Sequence, residues 1–149
     1  MYTRIMVAID SSATAGKALK EAIQLAKSVG AALCIVHAED ESLLEQHGMG
    51  IGSFIDVDKA ESAIRAAAGQ LLDEAVALAT AQGVTAEQRL FESGKKRVPD
   101  LIAEGATAWQ ADLIVVGTHG RRGFERMIVG SVAEKLVRVA GTSLLLVRD

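Results

Sequence analysis

Along this chain the hydrophobic period changes back and forth between continuous short runs and a repeat of three to four residues, and no other feature narrows the accessible folds as far. Runs rich in Val, Ile and Leu recur at Ile5-Met6-Val7-Ala8-Ile9, Ala32 to Ala38, Leu113-Ile114-Val115-Val116 and Leu144-Leu145-Leu146-Val147. Apolar runs this short, bounded by polar residues and glycines, read as buried strands. Between them Ala15, Ala18, Leu19, Ala22, Leu25, Ala26 and Val29 repeat at helical spacing, with Gly30 following as a C-terminal cap. Ala60, Ile64, Ala67, Leu71, Ala75, Leu78 and Ala79 do the same ahead of Gly83. Pro99 suits a helix's first turn, where its missing N–H removes no bond, so a helix is predicted over 99–109. A last helix is predicted from Ser131 to Ala140, before Gly141, and Gln88-Arg89-Leu90-Phe91-Glu92 reads as a strand at a sheet edge.

Strands alternating with helices make a parallel sheet covered on both faces, because right-handed crossover helices join parallel strands. The expected class is therefore α/β and doubly wound. In such sheets ligands bind beyond the carboxyl ends of the strands, where strand order reverses, which directs attention to the residues after Ile9, Val36 and Val116. A length of 149 residues suits one domain spanning 1–149. Half of the residues are apolar and the net charge is -3 with both signs interspersed, which disfavours a nucleic-acid surface. Cys34, the single cysteine, lies inside an apolar run and is expected as a buried thiol. No signal-peptide pattern opens the chain and no apolar run approaches bilayer length, so the cytoplasm is the expected compartment. The stretch from Asp40 to Asp56, with Gly48, Gly50 and Gly52, fits neither period and reads as a long loop, either a functional lid or an unconstrained insertion.

The residues after Val116 carry the functional signal. Gly117-Thr118-His119-Gly120-Arg121-Arg122-Gly123, then Gly130-Ser131 at a helix start, give the pattern G-x2-G-x9-G-[ST]. Glycines let backbone N–H groups approach an anion, and a helix start adds its positive dipole end, so the pattern suits a phosphate. A glycine-rich turn before a capped helix would give the same letters. There is no G-x4-G-K-[ST] and no dinucleotide fingerprint. His37, His47 and His119 show no metal-ligand spacing, and no metal site of protein groups alone is expected.

The run from Asp112 to Gly123, continuing through Gly130-Ser131-Val132-Ala133-Glu134-Lys135, resembles the carboxyl-terminal signature of the universal stress protein family. The opening from Ile5 to Asp10, with Ser11-Ser12 and the following helix, resembles that family's amino terminus. The resemblance covers essentially the whole chain and matches the ATP-binding branch. It implies a five-stranded parallel sheet in the order 3-2-1-4-5 with ATP at the switch point, accompanied by Mg2+ or Mn2+. It places Asp10 near ribose and phosphates and Ala38 against adenine through backbone atoms. Gly117 and Gly120 would line ribose and phosphates, while Gly130, Ser131 and Val132 would hold the phosphate tail. Arg121 and Arg122 stand nearby, as phosphate partners or as solvated loop side chains; Asp10, with Ser11 and Ser12, is equally a candidate helix cap. The resemblance also implies a homodimer through the last strand, Ser143 to Arg148. Family members often carry a proline shortly before that strand, where this chain has Gly141-Thr142-Ser143. The function expected is an ATP-binding stress-response module with slow or no hydrolysis; the rival reading is a weak ATP-cleaving enzyme of the same fold.

Overall fold

A computed structural model describes residues 1–40, 57–119 and 129–149. The elements follow one another as β1 (Arg4–Ala8), α1 (Ala13–Val29), β2 (Ala32–Ala38), α2 (Val57–Ala81), β3 (Ala86–Phe91), α3 (Val98–Trp109), β4 (Leu113–Gly117), α4 (Ser131–Val139) and β5 (Ser143–Val147). The strands form one parallel sheet in the order β3-β2-β1-β4-β5. The expected class and strand order are both found. Of the glycine-bearing loop expected between Asp40 and Asp56, only Asp40 falls within the described residues.

Alternation along the strands divides the core in two. Ile5 and Val7 of β1, with Leu33 and Ile35 of β2, pack under α1 and α2. Met6, Cys34, Val36 and Ala38 turn to the other face, where α3 and α4 cover them together with Ile114 and Val116 of β4. Because β1 is central it buries both of its faces: Ile5, Met6 and Val7 are fully enclosed, each contributing roughly 1.5–3 kcal/mol of transfer free energy. Cys34 is enclosed with them, and burial pushes its thiol up to about 11.

Helix ends follow local chemistry. Gly30 closes α1 in the left-handed region at φ 69° with its N–H on Ala26 O, and Gly83 at φ 79° turns the chain after α2. α3 ends without a glycine: Gln110 takes φ 60°, the one positive-φ residue other than glycine among the described residues. α4 stops one residue earlier than expected, at Val139, with Ala140 extended as its cap. The turn through Gly141 to β5 uses no left-handed residue. β3 begins at Ala86 and ends at Phe91, two residues before and one before the expected bounds, because pairing with β2 runs from Leu33↔Ala86 to Ala38↔Phe91.

The amino-terminal rim of the sheet is tied by polar groups. The Asp112 carboxylate accepts from Thr3 N and Thr3 Oγ1 at 2.8 Å and from Arg4 N at 3.0 Å. Arg4 Nε donates to Trp109 O at 2.9 Å while its guanidinium lies 4.0 Å from the Trp109 ring centroid. No helix among the described residues is long and apolar enough to cross a membrane.

Candidate functional site

At the carboxyl rim the loop after β1 is shaped by its own side chains. Asp10 Oδ1 accepts from Ser12 N at 2.8 Å. Ser12, not Asp10, caps α1: its Oγ accepts from Ala15 N at 3.2 Å and donates to His119 O at 3.4 Å. The capping role left open between Asp10 and the serines thus falls to Ser12, with Asp10 fixing the turn that aims it. The same hydroxyl ties this loop to the chain leaving β4.

That chain is pinned at Thr118. Its side chain is buried, its N–H donates to Val147 O at 2.9 Å, and its carbonyl accepts from Gly130 N. The last contact brings the start of α4 back beside the end of β4. Gly130 is the N-cap, at φ -71° and ψ 164°, and no side chain caps α4. The first-turn N–H groups of a helix have no partner within it, and at α4 they combine with the positive end of the dipole and the hydroxyl of Ser131. Gly117 also meets a packing need. A Cβ there would lie 2.7 Å from Thr14 Cγ2 and 3.0 Å from the Thr14 carbonyl carbon, so this glycine lets α1 cross β4.

The residues expected to contact a ligand are brought together in part. Asp10, Gly117, Gly130, Ser131 and Val132 belong to the adjoining ends of β1 and β4 and the start of α4. Gly120, Arg121 and Arg122 lie outside the described residues. Ala38 sits at the end of β2, but its side chain is packed with the α3 and α4 layer, leaving only its backbone for a ligand.

Its two neighbours turn the other way. His37 and Glu39, with Asp40 and Ser11, border a cleft of about 310 Å³ whose opposite wall is a face of α2 carrying Ile64, Ala67 and Leu71. The Gln70–Glu74 pair, joined at 3.1 Å, stands on the same helix. Sequence reading assigned none of these residues to a site. His37 could have been found from the strand period, since it shares a face with the buried Leu33 and Ile35 and is the one polar side chain there. Among the described residues no group of three or more His, Cys, Asp and Glu could hold a metal ion.

With this geometry in place, comparisons with known proteins are informative. The model of the universal stress protein family matches residues 1–148. The universal stress protein YxiE of Bacillus subtilis is 29% identical over 151 residues, covering 99% of this chain and 100% of that protein. Among solved structures, a member of the family from Burkholderia pseudomallei superposes with a TM-score of 0.77 at 33% identity, covering 98% of this chain and 96% of that one. A universal stress protein from Archaeoglobus fulgidus in complex with dAMP gives 0.65 at 26% identity, with 98% of each chain covered. A universal stress protein in complex with cAMP gives 0.66 at 26% identity, covering 99% of this chain and 97% of that one.

Proposed function

Because the chain belongs to the universal stress protein family, we propose that it is an adenine-nucleotide-binding module of that family, with ATP as its ligand and the start of α4 as its phosphate site. The observation that carries this reading is the contrast between two helix starts at one rim. α1 has one of its first-turn N–H groups, that of Ala15, served by Ser12 Oγ, whereas α4 opens on Gly130 with no side chain in that place. A helix start whose N-cap residue offers no side-chain acceptor, beside a hydroxyl and at the switch point of a doubly wound sheet, suits a phosphate group in both charge and hydrogen bonding. The adenine nucleotides held by the two relatives support the choice of ligand.

The donor set fits the group. Ser131 Oγ and the N–H groups of Ser131 and Val132 are donors, the partners that phosphate oxygens need. Asp10 is an acceptor already engaged with Ser12 N, so its tie to a nucleotide runs through a hydroxyl or a divalent ion. No protein cluster among the described residues would bind such an ion alone, so Mg2+ or Mn2+ belongs with the phosphates in this proposal. The module is a binder whose nucleotide state governs association with other proteins; a turnover of about 1 per second or faster, in the ordinary enzyme range, would replace that reading with the hydrolase.

Isothermal titration with ATP and magnesium tests the site. Ser131→Ala removes one hydroxyl and leaves the helix start, for a loss of about 1–3 kcal/mol. Gly130→Asp should lose far more, since its carboxylate both repels phosphate and occupies the first-turn N–H groups. As a good N-cap, the same aspartate should raise thermal stability by a few tenths of a kcal/mol. Binding lost while stability holds or rises is the expected pair of results; equal affinity in the wild type and both variants would remove the phosphate site from α4.

A further inference from the structure

Two stretches of chain meet at the carboxyl rim, the loop after β1 and the chain leaving β4, and the side chain of Ser12 spans them. Its Oγ accepts from Ala15 N at 3.2 Å and donates to His119 O at 3.4 Å. The two bonds divide what a hydroxyl can do: a lone pair serves the helix cap, and the proton has His119 O as its acceptor. Asp10 Oδ1 holds Ser12 N at 2.8 Å. The backbone from which the hydroxyl projects is therefore fixed by the residue proposed to meet the nucleotide.

On the other side His119 follows a residue anchored twice. Thr118 is buried, with its N–H on Val147 O and its carbonyl accepting from Gly130 N. Both of those bonds are made by backbone, so they do not depend on which side chains stand there. The bond from Ser12 to His119 O differs in kind. It is made by a side chain, it reaches across from the opposite loop, and at 3.4 Å it is long for a hydroxyl donor, which prefers about 2.7–2.8 Å. A long bond between two anchored stretches has room to shorten when a ligand touches both.

Resting on the nucleotide reading above, we propose that Ser12 is a positioning residue of the nucleotide site. Its hydroxyl sets the gap between the β1 loop, which carries Asp10, and the chain leaving β4, and the bond to His119 O shortens when a nucleotide bridges the two. In this role Ser12 touches no part of the nucleotide. It acts by preorganisation, which spares the ligand the cost of ordering the two stretches against each other. One hydroxyl then serves both the cap of α1 and the site, and a variant that keeps the cap while losing the tie separates the two.

Glycine is an accepted N-cap residue, so Ser12→Gly removes the hydroxyl and leaves α1 close to its wild-type stability. Ser12→Thr keeps an oxygen and a proton for both bonds, and φ -75° with ψ 155° at residue 12 lies in the β region open to threonine. Isothermal titration of the full chain with ATP and magnesium, with thermal unfolding of the same samples, compares them. Ser12→Gly should bind about threefold to tenfold more weakly than wild type, the worth of one neutral hydrogen bond, and Ser12→Thr should restore the affinity. Equal affinity in wild type and folded Ser12→Gly, or a loss that Ser12→Thr shares, overturns the positioning role and leaves ATP binding standing. A wild type that does not bind ATP overturns the nucleotide reading and this one with it. Carbon-13 NMR of the His119 carbonyl reads the bond itself. ATP should move that resonance to higher frequency in wild type, as a strengthening hydrogen bond does, and not in Ser12→Gly. The same movement in Ser12→Gly, or none in wild type, overturns the proposal.

Discussion

At Gly117 the requirement is for space. Thr14 backbone and side-chain atoms occupy the volume a Cβ would need, and the residue has no positive φ to demand glycine. Gly117→Ala should therefore act first on stability, by about 1–3 kcal/mol through overpacking. Denaturant unfolding followed by the emission of Trp109, the single tryptophan and a buried one, measures it; an unchanged midpoint would show that α1 yields without loss. Asp112 supplies the corresponding test at the other rim. Burial opposes its ionisation, yet the hydrogen bonds from Thr3 and Arg4 hold its carboxyl below the ordinary 3.8. A depressed folded-state value means that the stabilisation is complete above the unfolded value and is lost as pH falls through the folded one. Asp112→Asn should thus be less stable than wild type near neutral pH, and the two should converge in acid. A stability difference that stays constant down the pH scale would place the effect of Asp112 in shape, not charge.

At the scale of elements, a helix stop depends on whether the left-handed residue can adopt its conformation without strain. Gly30 at φ 69° does so freely, while Gln110 at φ 60° carries a side chain there. Gly30→Ala should lower stability and Gln110→Gly should raise it, each by about 1 kcal/mol or less, the gain at 110 being offset in part by a more flexible unfolded chain. Unfolding curves that shift in the same direction for both variants would contradict this account. The pair also marks what was legible in the sequence. The strands could be read because central parallel strands are apolar on both faces, and Gly30 and Gly83 announced their helix ends. Gln110 carried no such signal, since its conformation is imposed by β4 beginning at Leu113, with Asp112 N held on Arg4 O. The bare start of α4 was legible as Gly130-Ser131, because a glycine N-cap is a property of letters. The assignment of Ser12 over Asp10 as the cap of α1, and the cleft around His37, were not, because both depend on which side chains meet across elements.

Over the whole molecule the two rims of the sheet divide the work: the amino rim is closed by Asp112, Arg4 and Trp109, and the carboxyl rim holds the candidate site. The lateral edges remain, and at β5 the molecule presents an apolar strand, Ser143–Val147, whose outer side has no strand neighbour among the described residues. Leu145 is 36% exposed there, and Val137 on the adjoining α4 is 61% exposed. We propose a homodimer contact on this edge, from Ser143 to Arg148. A two-fold axis perpendicular to the sheet would set β5 antiparallel to its twin and pair the open N–H and C=O groups of both. The direction of those groups sharpens the test. In a parallel ladder both backbone groups of a residue face the same neighbour, and Val147 O accepts from Thr118 N, so Ser143, Leu145 and Val147 face β4 while Leu144 and Leu146 face the open edge. Proline at 146 removes an edge donor and proline at 145 removes a bond to β4. Leu146→Pro should therefore give a folded monomer, whereas Leu145→Pro should lose more stability. Light scattering at micromolar concentration, with circular dichroism on the same samples, reads both. A wild-type monomer, or a dimer unaffected in folded Leu146→Pro, would move the contact away from β5.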